Sequence, residues 1–189
     1  VREDVLDPTI EEALNNVSAT LDTETMTQLN GRVEIDKEDP ADVAADYLEQ
    51  EGLLGGASGG SGELTVGGVA FAENQIVAEM YAQVLEDAGY TVDRQIDLGS
   101  REILYPALKA GEVDVAPEYL GSLLLFLDPQ AAASSDAENN AQLLEPLLAK
   151  DGLALLEPSD ANDTNAFVVT RETAEEYDLE TVSDLAREQ

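Results

Sequence analysis

The sequence predicts an α/β fold, a three-layer lobe built on a mainly parallel sheet. Residues 64–121 alternate short apolar runs with stretches of helical periodicity, and a polar turn follows each apolar run. Strands and helices that alternate at this spacing form right-handed crossovers, so the strands pair in parallel. Ligands of such sheets bind beyond the carboxyl ends of the strands, where helix N-termini offer free N–H groups. We expect all three polar turns at that edge.

Five elements form this predicted core, in the order strand, helix, strand, helix, strand. Glycines mark the helix ends, with Gly89 after the first helix and Gly111 after the second. The predicted ranges are 64–71, 76–88, 91–98, 103–109 and 112–116. After the core, the sequence predicts helices over 141–150 and from 181 onward, a helical turn over 173–177, and strands over 153–157 and 166–171.

The first 54 residues predict helices rather than strands. Asp7 and Pro8 form a helix start, with a capping carboxylate and a proline in the first turn. The second helix is expected to end at Asn30-Gly31, and the third to run from Pro40 to Gly52. Their apolar residues recur at helical spacing, which predicts faces that pack on a core.

The charge balance narrows the classes of partner. With 41 acidic and 9 basic residues, the formal charge is −32. Nucleic acid is excluded as a partner because the neutralisation of phosphates needs clustered lysine and arginine. The acidity predicts a solvated, self-repelling surface typical of salt-adapted proteins. An acidic patch for cations is the alternative, and no calcium-loop pattern supports it.

Missing residue types exclude further chemistry. The sequence has no cysteine and no histidine, which removes thiol nucleophiles, disulfides, zinc sites and the commonest general base. We therefore expect no metal and no cofactor. No apolar run reaches the length of a membrane span, and no signal-peptide pattern is found. Residues 55–62, rich in glycine and serine, predict a flexible linker without chemistry.

The three polar turns hold the candidate binding residues. An aromatic ring beside carboxylates suits a quaternary ammonium group, through cation–π and charge attraction. Ordinary helix capping, a surface ion pair and a core tyrosine are the alternatives. A pair of carboxylates also occurs in glycosidases, but nothing indicates an acid with a raised pKa, so no enzyme is predicted. The candidates are Glu73, Asn74 and Gln75 in the first turn, Gly99, Ser100 and Arg101 in the second, and Asp114, Glu118 and Tyr119 in the third.

Three long strings resemble a known family. The strings GGVAFAENQIVAEMYAQVLEDAGYTV, DLGSREILYPALKAGEVDVAPEYLGSLLLFL and NAFVVTRETAEEYDLETVSDLA are similar to the glycine betaine/choline-type substrate-binding proteins of osmoprotectant ABC importers. Residues 1–54 resemble the C-terminal end of that family, so the family's tail precedes its head here. The stretch that builds most of the second lobe is absent. The chain thus resembles a circularly permuted single lobe, and a junction inside a tandem array of such domains is the alternative.

The resemblance implies a type II periplasmic-binding-protein fold in four parts. Residues 1–54 would be the family's C-terminal helical segment, packed on the lobe, and 55–62 the linker. Residues 63–160 would form the main α/β lobe, and 161–189 a hinge strand and the start of the second lobe.

The resemblance also implies a ligand in the cleft between two lobes, with an aromatic cage around its trimethylammonium group. The first-lobe ligand-binding residues would be Phe71 and the nine candidates of the three turns. Many members carry tyrosine where Ala116 stands, and many have an aromatic residue near Asn165–Ala166. The cage is therefore expected to be thinner here, and another compatible solute remains an alternative ligand.

The expected function is that of a non-catalytic receptor lobe for a quaternary-ammonium solute, with weak or no binding because the second lobe is missing. Its partners would be that solute and the membrane subunit of an ABC importer, and the exposed cleft face is a candidate homodimer surface. The parent protein would lie outside the cytoplasm, in the periplasm or anchored by a lipid at the cell surface. The alternative is a single-lobe scaffold or self-assembling domain without a ligand.

Overall fold

A small parallel sheet lies at the centre of the computed structural model, which describes residues 1–164 and 167–186. Its two strands are β1 (Glu63–Gly67) and β2 (Thr91–Gln95), with Glu63 opposite Thr91 and Gly67 opposite Gln95. The predicted α/β class and parallel strand pairing are confirmed. β1 is the buried strand, because Leu64 and Val66 lie in the core.

The strands are shorter than predicted. β1 ends at Gly67 rather than at residue 71, because the Val69 N–H donates to the Asn74 side chain (2.8 Å) instead of to a neighbouring strand. The third predicted strand, over 112–116, is reduced to one parallel bridge between Val66 and Val115. This bridge still places the third segment along the second edge of β1.

Two later strand predictions are wrong. Residues 153–157 form no strand, and Leu153 makes an isolated antiparallel bridge to Arg2 at the start of the described chain. Of the strand predicted over 166–171, Ala166 lies outside the described residues. Residues 167–170 are not in a strand, and Phe167 is 75% exposed, so no strand within the described residues covers it.

Helices account for most of the remaining described residues. They are α1 (Pro8–Ser18), α2 (Thr23–Glu34), α3 (Pro40–Glu51), α4 (Ala72–Ala88), α5 (Arg101–Ala110), α6 (Leu120–Leu127), α7 (Ala137–Ala149) and α8 (Arg171–Tyr177), followed by a 3₁₀ turn at Val182–Ala186. Within the described residues, no helix combines the length and the apolar composition that a membrane crossing needs.

Most predicted C-terminal helix ends and the predicted starts of α1 and α3 are confirmed, whereas α4, α5, α7 and α8 begin two to four residues earlier than predicted. The Asp7 carboxylate accepts hydrogen bonds from the N–H groups of Thr9 and Ile10, which begins α1. Gly89 ends α4 at a φ of 113°, a backbone conformation that favours glycine.

The predicted end of α2 at Asn30-Gly31 is wrong, since the helix continues to Glu34. Arg32 forms ion pairs with Glu38 (2.5 Å) and Asp46 (2.7 Å), and Val33 packs against the core. These contacts add one more turn after the glycine.

Buried apolar residues form two clusters. The first joins α1, α2 and α3 to α4 and β1, and its fully buried members include Ile10, Leu48 and Ile76. The second joins α5, α6 and α7, around Leu104, Leu124 and Leu144. The N-terminal helices therefore share a core with the βαβ unit.

Part of the Gly/Ser segment lies against the folded body. The Gly60 N–H donates to the Ala88 carbonyl (3.0 Å), and the Thr91 N–H donates to the Gly62 carbonyl (2.9 Å). A Cβ atom at Gly60 would lie 2.3 Å from the Tyr90 ring. The segment predicted from composition as a flexible linker thus makes specific contacts at the end of α4.

Candidate functional site

Hydrogen bonds join the first and third polar turns. Glu73 lies in the first turn of α4, and Tyr119 directly precedes α6. The Tyr119 hydroxyl donates to the Glu73 carboxylate at 2.6 Å, across 46 residues of sequence. The two turns therefore meet at one edge of the sheet, as the strand alternation predicts.

Asn74 forms a second link between the same turns. Its side chain is buried, with 4% exposure, and both ends of the amide are used. The Asn74 oxygen accepts the Val69 N–H (2.8 Å), and its nitrogen donates to the Pro117 carbonyl (3.1 Å). Asn74 thus holds the exit of β1 against the loop that carries Tyr119.

An ion pair joins the second turn to the third. The Arg101 Nε and Nη2 atoms donate to the Glu118 carboxylate at 2.9 and 2.7 Å, in a bidentate arrangement. Arg101 Nη2 also donates to the Ser122 hydroxyl (2.8 Å) in the first turn of α6. Both charged side chains are mostly buried, with 19% and 15% exposure. This geometry is the strong form of an arginine–carboxylate contact.

Tyr119 lies among carboxylates. Burial, the hydrogen bond to Glu73, and the charges of Glu73, Asp163 and Glu118 raise the pKa of the Tyr119 phenol. The hydroxyl therefore stays protonated and donates to Glu73 over the whole neutral range. Asp163 reaches this position on the connector after residue 158, and no local pattern in the sequence indicates that approach.

Ser122 is a second residue that sequence analysis missed. It follows Glu118 by four residues, and its place in the first turn of α6 brings its hydroxyl to Arg101. The sequence predicts no helix at the position of α6, so nothing in the prediction brings Ser122 to Arg101.

Asp114 lies apart from the other candidates, because its side chain bonds to the middle of β1 and to the start of the described chain. Its carboxylate accepts the Thr65 N–H (2.8 Å) in the middle of β1 and a hydrogen bond from Arg2 Nη1 (2.8 Å). Among the described residues, no hydrogen bond joins the Asp114 carboxylate to Glu73, Glu118 or Tyr119. Asp114 holds the start of the described chain to the sheet, next to the bridge between Arg2 and Leu153.

The remaining candidates lie around the three turns. Phe71 precedes α4 and is 59% exposed, whereas Gln75 lines a separate shallow cavity of about 300 Å³ with Arg94 and Ile96. Gly99 has a φ of 76°, and Ser100 precedes α5. Gln75 is thus directed away from the cluster formed by Glu73, Asn74, Arg101, Glu118 and Tyr119, which we call the rim cluster.

The helices that begin at the rim lack side-chain N-caps. Phe71, Ser100 and Tyr119 precede α4, α5 and α6, and none of them caps its helix through its side chain. By contrast, an aspartate or threonine side chain caps α1, α2, α3, α7 and α8.

Carboxylates from the chain itself lie at these three N-termini. Glu118 accepts the Tyr119 N–H at 3.0 Å, and Glu73 lies in the first turn of α4. Hydrogen bonds from the Ser100 hydroxyl and from its own N–H lower the pKa of the Glu102 carboxyl at the start of α5. Within the described residues, no group of three or more acidic side chains has the arrangement of a metal site.

Comparison with known proteins places this chain in a transport family. The family model described as the substrate binding domain of ABC-type glycine betaine transport systems matches residues 1–50 and 62–189. The Gly/Ser segment falls between the two matched parts. No solved structure matches the chain.

Three curated relatives are named for binding small solutes. A glycine-betaine-binding protein of Pseudomonas aeruginosa is 35% identical over 66% of this chain and 39% of its own length. The glycine betaine-binding protein YehZ of Escherichia coli is 30% identical over 65% of this chain and 41% of its own length. The carnitine transport binding protein OpuCC of Listeria monocytogenes is 28% identical over 71% of this chain and 44% of its own length.

These matches identify the class of protein. The chain spans about two fifths of the length of the curated relatives that it matches. The relatives are substrate-binding proteins of transporters rather than enzymes, which confirms the prediction of a non-catalytic protein. The chain belongs to the family of substrate-binding domains of ABC-type glycine betaine transport systems.

Proposed function

We propose that this chain is one receptor lobe for a quaternary-ammonium solute, and that the solute lies over the rim cluster. The observation that carries the proposal is the contact between Tyr119 and Glu73, which places a phenol ring beside a carboxylate at the carboxyl edge of a parallel sheet. A ring face and a carboxylate attract a trimethylammonium group without needing to donate a hydrogen bond. Family membership and the names of the relatives support the same ligand class.

The rim cluster supports a preformed binding surface. Asn74 is buried and bonded on both sides, and Arg101 holds Glu118 through two hydrogen bonds. A surface ordered before the ligand arrives loses little side-chain entropy on binding. Phe71, Gly99 and Ser100 flank this surface and complete the proposed contacts, whereas Gln75 and Asp114 belong to its surroundings.

The larger architecture that we propose is a three-layer lobe of the type II periplasmic-binding-protein fold. Residues 63–160 form the lobe, with residues 1–54 packed on it through 55–62, and 161–189 lead toward a second lobe. The two matched parts of the family model support a permuted order or a junction of tandem domains. The complete protein would act outside the cytoplasm and deliver its solute to the membrane subunit of an ABC importer.

Binding to this chain alone is expected to be weak. A cleft between two lobes buries most of a small ligand, and a single rim covers one side of it. We expect dissociation constants in the range of about 1 mM or weaker for glycine betaine, choline and carnitine, the regime of a few kcal/mol. Tight binding of any of the three in isothermal titration calorimetry would contradict this expectation.

The binding test is an NMR titration that follows the aromatic signals of Tyr119 and Tyr105. The Tyr105 hydroxyl donates a hydrogen bond to Asp151, and its ring lies in the second hydrophobic cluster. Tyr105 is therefore the internal control. Choline should shift the Tyr119 signals in a saturable manner and leave Tyr105 unchanged. The uncharged isostere 3,3-dimethylbutan-1-ol should have little effect, because it lacks the positive charge. Equal responses of the two tyrosines would refute the proposed site.

Exposed apolar side chains at this rim favour self-association as a second candidate function. Phe71, which precedes α4, is 59% exposed, and Ile103, in the first turn of α5, is 56% exposed. A second copy of the chain would cover them and so remove apolar surface from water. Sedimentation velocity at several protein concentrations tests this, with Phe71→Ser and Ile103→Ser expected to shift a dimer toward monomer. A monomer at all concentrations would end this candidate.

A further inference from the structure

We infer, on the basis of the proposed function, that the rim cluster receives the cationic end of a solute and, within the described residues, offers no unpaired cation to an anionic end. The chain should therefore prefer choline, a cation, to glycine betaine, a zwitterion with a carboxylate. The positive group of the rim cluster, the Arg101 guanidinium, is already paired with a carboxylate of the chain.

Arg101 is the basic side chain that hydrogen-bonds within the rim cluster, in the part of the chain that the structure describes. A free guanidinium at this position would bind a ligand carboxylate. Here Nε and Nη2 both donate to Glu118, and Nη2 also donates to Ser122. The side chain is 19% exposed, so the pair is shielded from solvent. Arg101 therefore neutralises Glu118 and positions it instead of receiving an anion.

The helix N-termini are the second source of positive potential at the rim. Uncapped N-termini attract anions through their free N–H groups and the helix dipole. Each of the three rim helices, however, has a carboxylate of the chain at its start, namely Glu73, Glu102 or Glu118. A carboxylate on the ligand would have to compete with these three carboxylates, which belong to the chain and already lie at the helix N-termini.

Carboxylates also surround the aromatic ring itself. Glu73 accepts the Tyr119 hydroxyl, which leaves no phenol donor for an incoming anion. Glu73, Asp163 and Glu118 all act electrostatically on Tyr119, and Arg101 balances one of these charges. The rim is therefore net negative around its aromatic ring. A trimethylammonium group is attracted to this surface, whereas an attached carboxylate is repelled unless it points away from the lobe.

The test compares choline and glycine betaine by NMR titration of the Tyr119 signals, in the wild-type chain and in variants. In the wild type, choline should bind about tenfold more tightly, which corresponds to about 1.4 kcal/mol, the order of one unfavourable charge contact. Glu118→Gln keeps the shape of the side chain and releases the Arg101 charge, so glycine betaine should gain affinity and the ratio should fall toward about one.

Arg101→Met should move the ratio in the opposite direction. It removes the positive charge and leaves Glu118 unpaired, so choline should gain and glycine betaine should lose affinity. Glu24→Gln, an exposed position in the first turn of α2, removes one negative charge away from the rim and is the matched control, with an unchanged ratio. Amide spectra check that each variant is folded.

The outcomes separate this inference from the proposed function. Binding of both solutes with no preference in the wild type, or a ratio that Glu118→Gln leaves unchanged, would overturn the charge selectivity alone. Absence of a Tyr119 response to either solute would overturn the proposed function and the inference with it. A preference for choline that falls in Glu118→Gln and rises in Arg101→Met supports both.

Discussion

Asn74 shows how one buried side chain holds the rim in place. Its amide joins the Val69 N–H to the Pro117 carbonyl, two backbone groups that have no strand partner at the end of β1. A Cβ at Gly68 would lie 2.9 Å from the Asn74 oxygen, so the glycine gives the amide room to approach. Buried backbone groups of this kind must be paired, and a side chain does the pairing here.

Replacement of Asn74 by alanine should destabilise the chain by about 2–4 kcal/mol, because two buried backbone groups lose their partners. Urea unfolding followed by circular dichroism gives the change in the free energy of unfolding. Asn16→Ala, at an exposed position of α1, is the control and should stay within about 0.5 kcal/mol of the wild type. Equal effects of the two substitutions would show that the Asn74 amide does not bear the bridging role.

Ionisation of the Tyr90 phenol should lower the stability of the fold at alkaline pH. Burial and the hydrogen bond to Asp7 raise the pKa of its phenol to about 12. A group whose folded-state pKa lies above the ordinary value near 10 contributes stability that is complete below about pH 10 and is lost as the pH rises toward 12. The free energy of unfolding should therefore fall between these pH values.

Tyr90→Phe isolates this contribution, because it keeps the ring and removes the ionisable hydroxyl. The difference in stability between wild type and variant should shrink from pH 9 to pH 12, measured by urea unfolding at each pH. Tyr177→Phe, at a position with 46% exposure, is the control. A difference that stays constant across this range would contradict the assigned role of the Tyr90 hydroxyl.

At the scale of elements, substitutions in the Gly/Ser segment test whether its contacts with Tyr90 and the end of α4 stabilise the fold. Gly60 lies so close to Tyr90 that an added Cβ would fall 2.3 Å from the ring, whereas a Cβ at Gly56 meets no atom within 4 Å. Gly60→Ala should destabilise the chain by about 1–3 kcal/mol through this overlap. Gly56→Ala is the matched control and should be close to neutral. If thermal unfolding shows equal effects, the segment is a passive tether, as its composition predicts.

Helix boundaries could be predicted where one residue determines them locally. Asp7 caps α1, and Gly89 ends α4, because each acts on backbone groups within a few positions. The end of α2 could not be predicted, since its last turn depends on Arg32 pairing with Asp46 of the next helix. The end of β1 could not be predicted from its apolar composition either, because the Asn74 side chain takes the Val69 N–H.

The position of the rim cluster could be predicted from the sequence, but the individual hydrogen bonds and ion pairs around it could not. The alternation of strands and helices indicates that Glu73 and Tyr119 meet at one edge. That Asp114 pairs with Arg2, 112 residues away, follows from tertiary packing and has no local signal. The same holds for Asp163 beside Tyr119, because its connector reaches the rim only in the folded chain.

At the scale of the whole molecule, the negative charge should make stability depend on salt. A formal charge of −32 on 189 residues repels itself more strongly in the compact state than in the unfolded chain. The eight ion pairs found among the described residues recover a part of this energy, and several, such as Arg2 with the 65% exposed Asp4, have a partner open to solvent and contribute little. Repulsion between surface carboxylates should therefore dominate the response to salt.

We expect the melting temperature to rise with KCl and to level off near about 1 M, where the Debye length falls to roughly 3 Å and neighbouring charges are screened. Differential scanning calorimetry from low salt upward measures this rise. Sucrose at equal osmolality is the control for solvent exclusion, which stabilises without screening charge. A melting temperature that falls with KCl would mean that the ion pairs outweigh the repulsion, and Arg32→Met, which removes two of them, should then reduce that salt sensitivity.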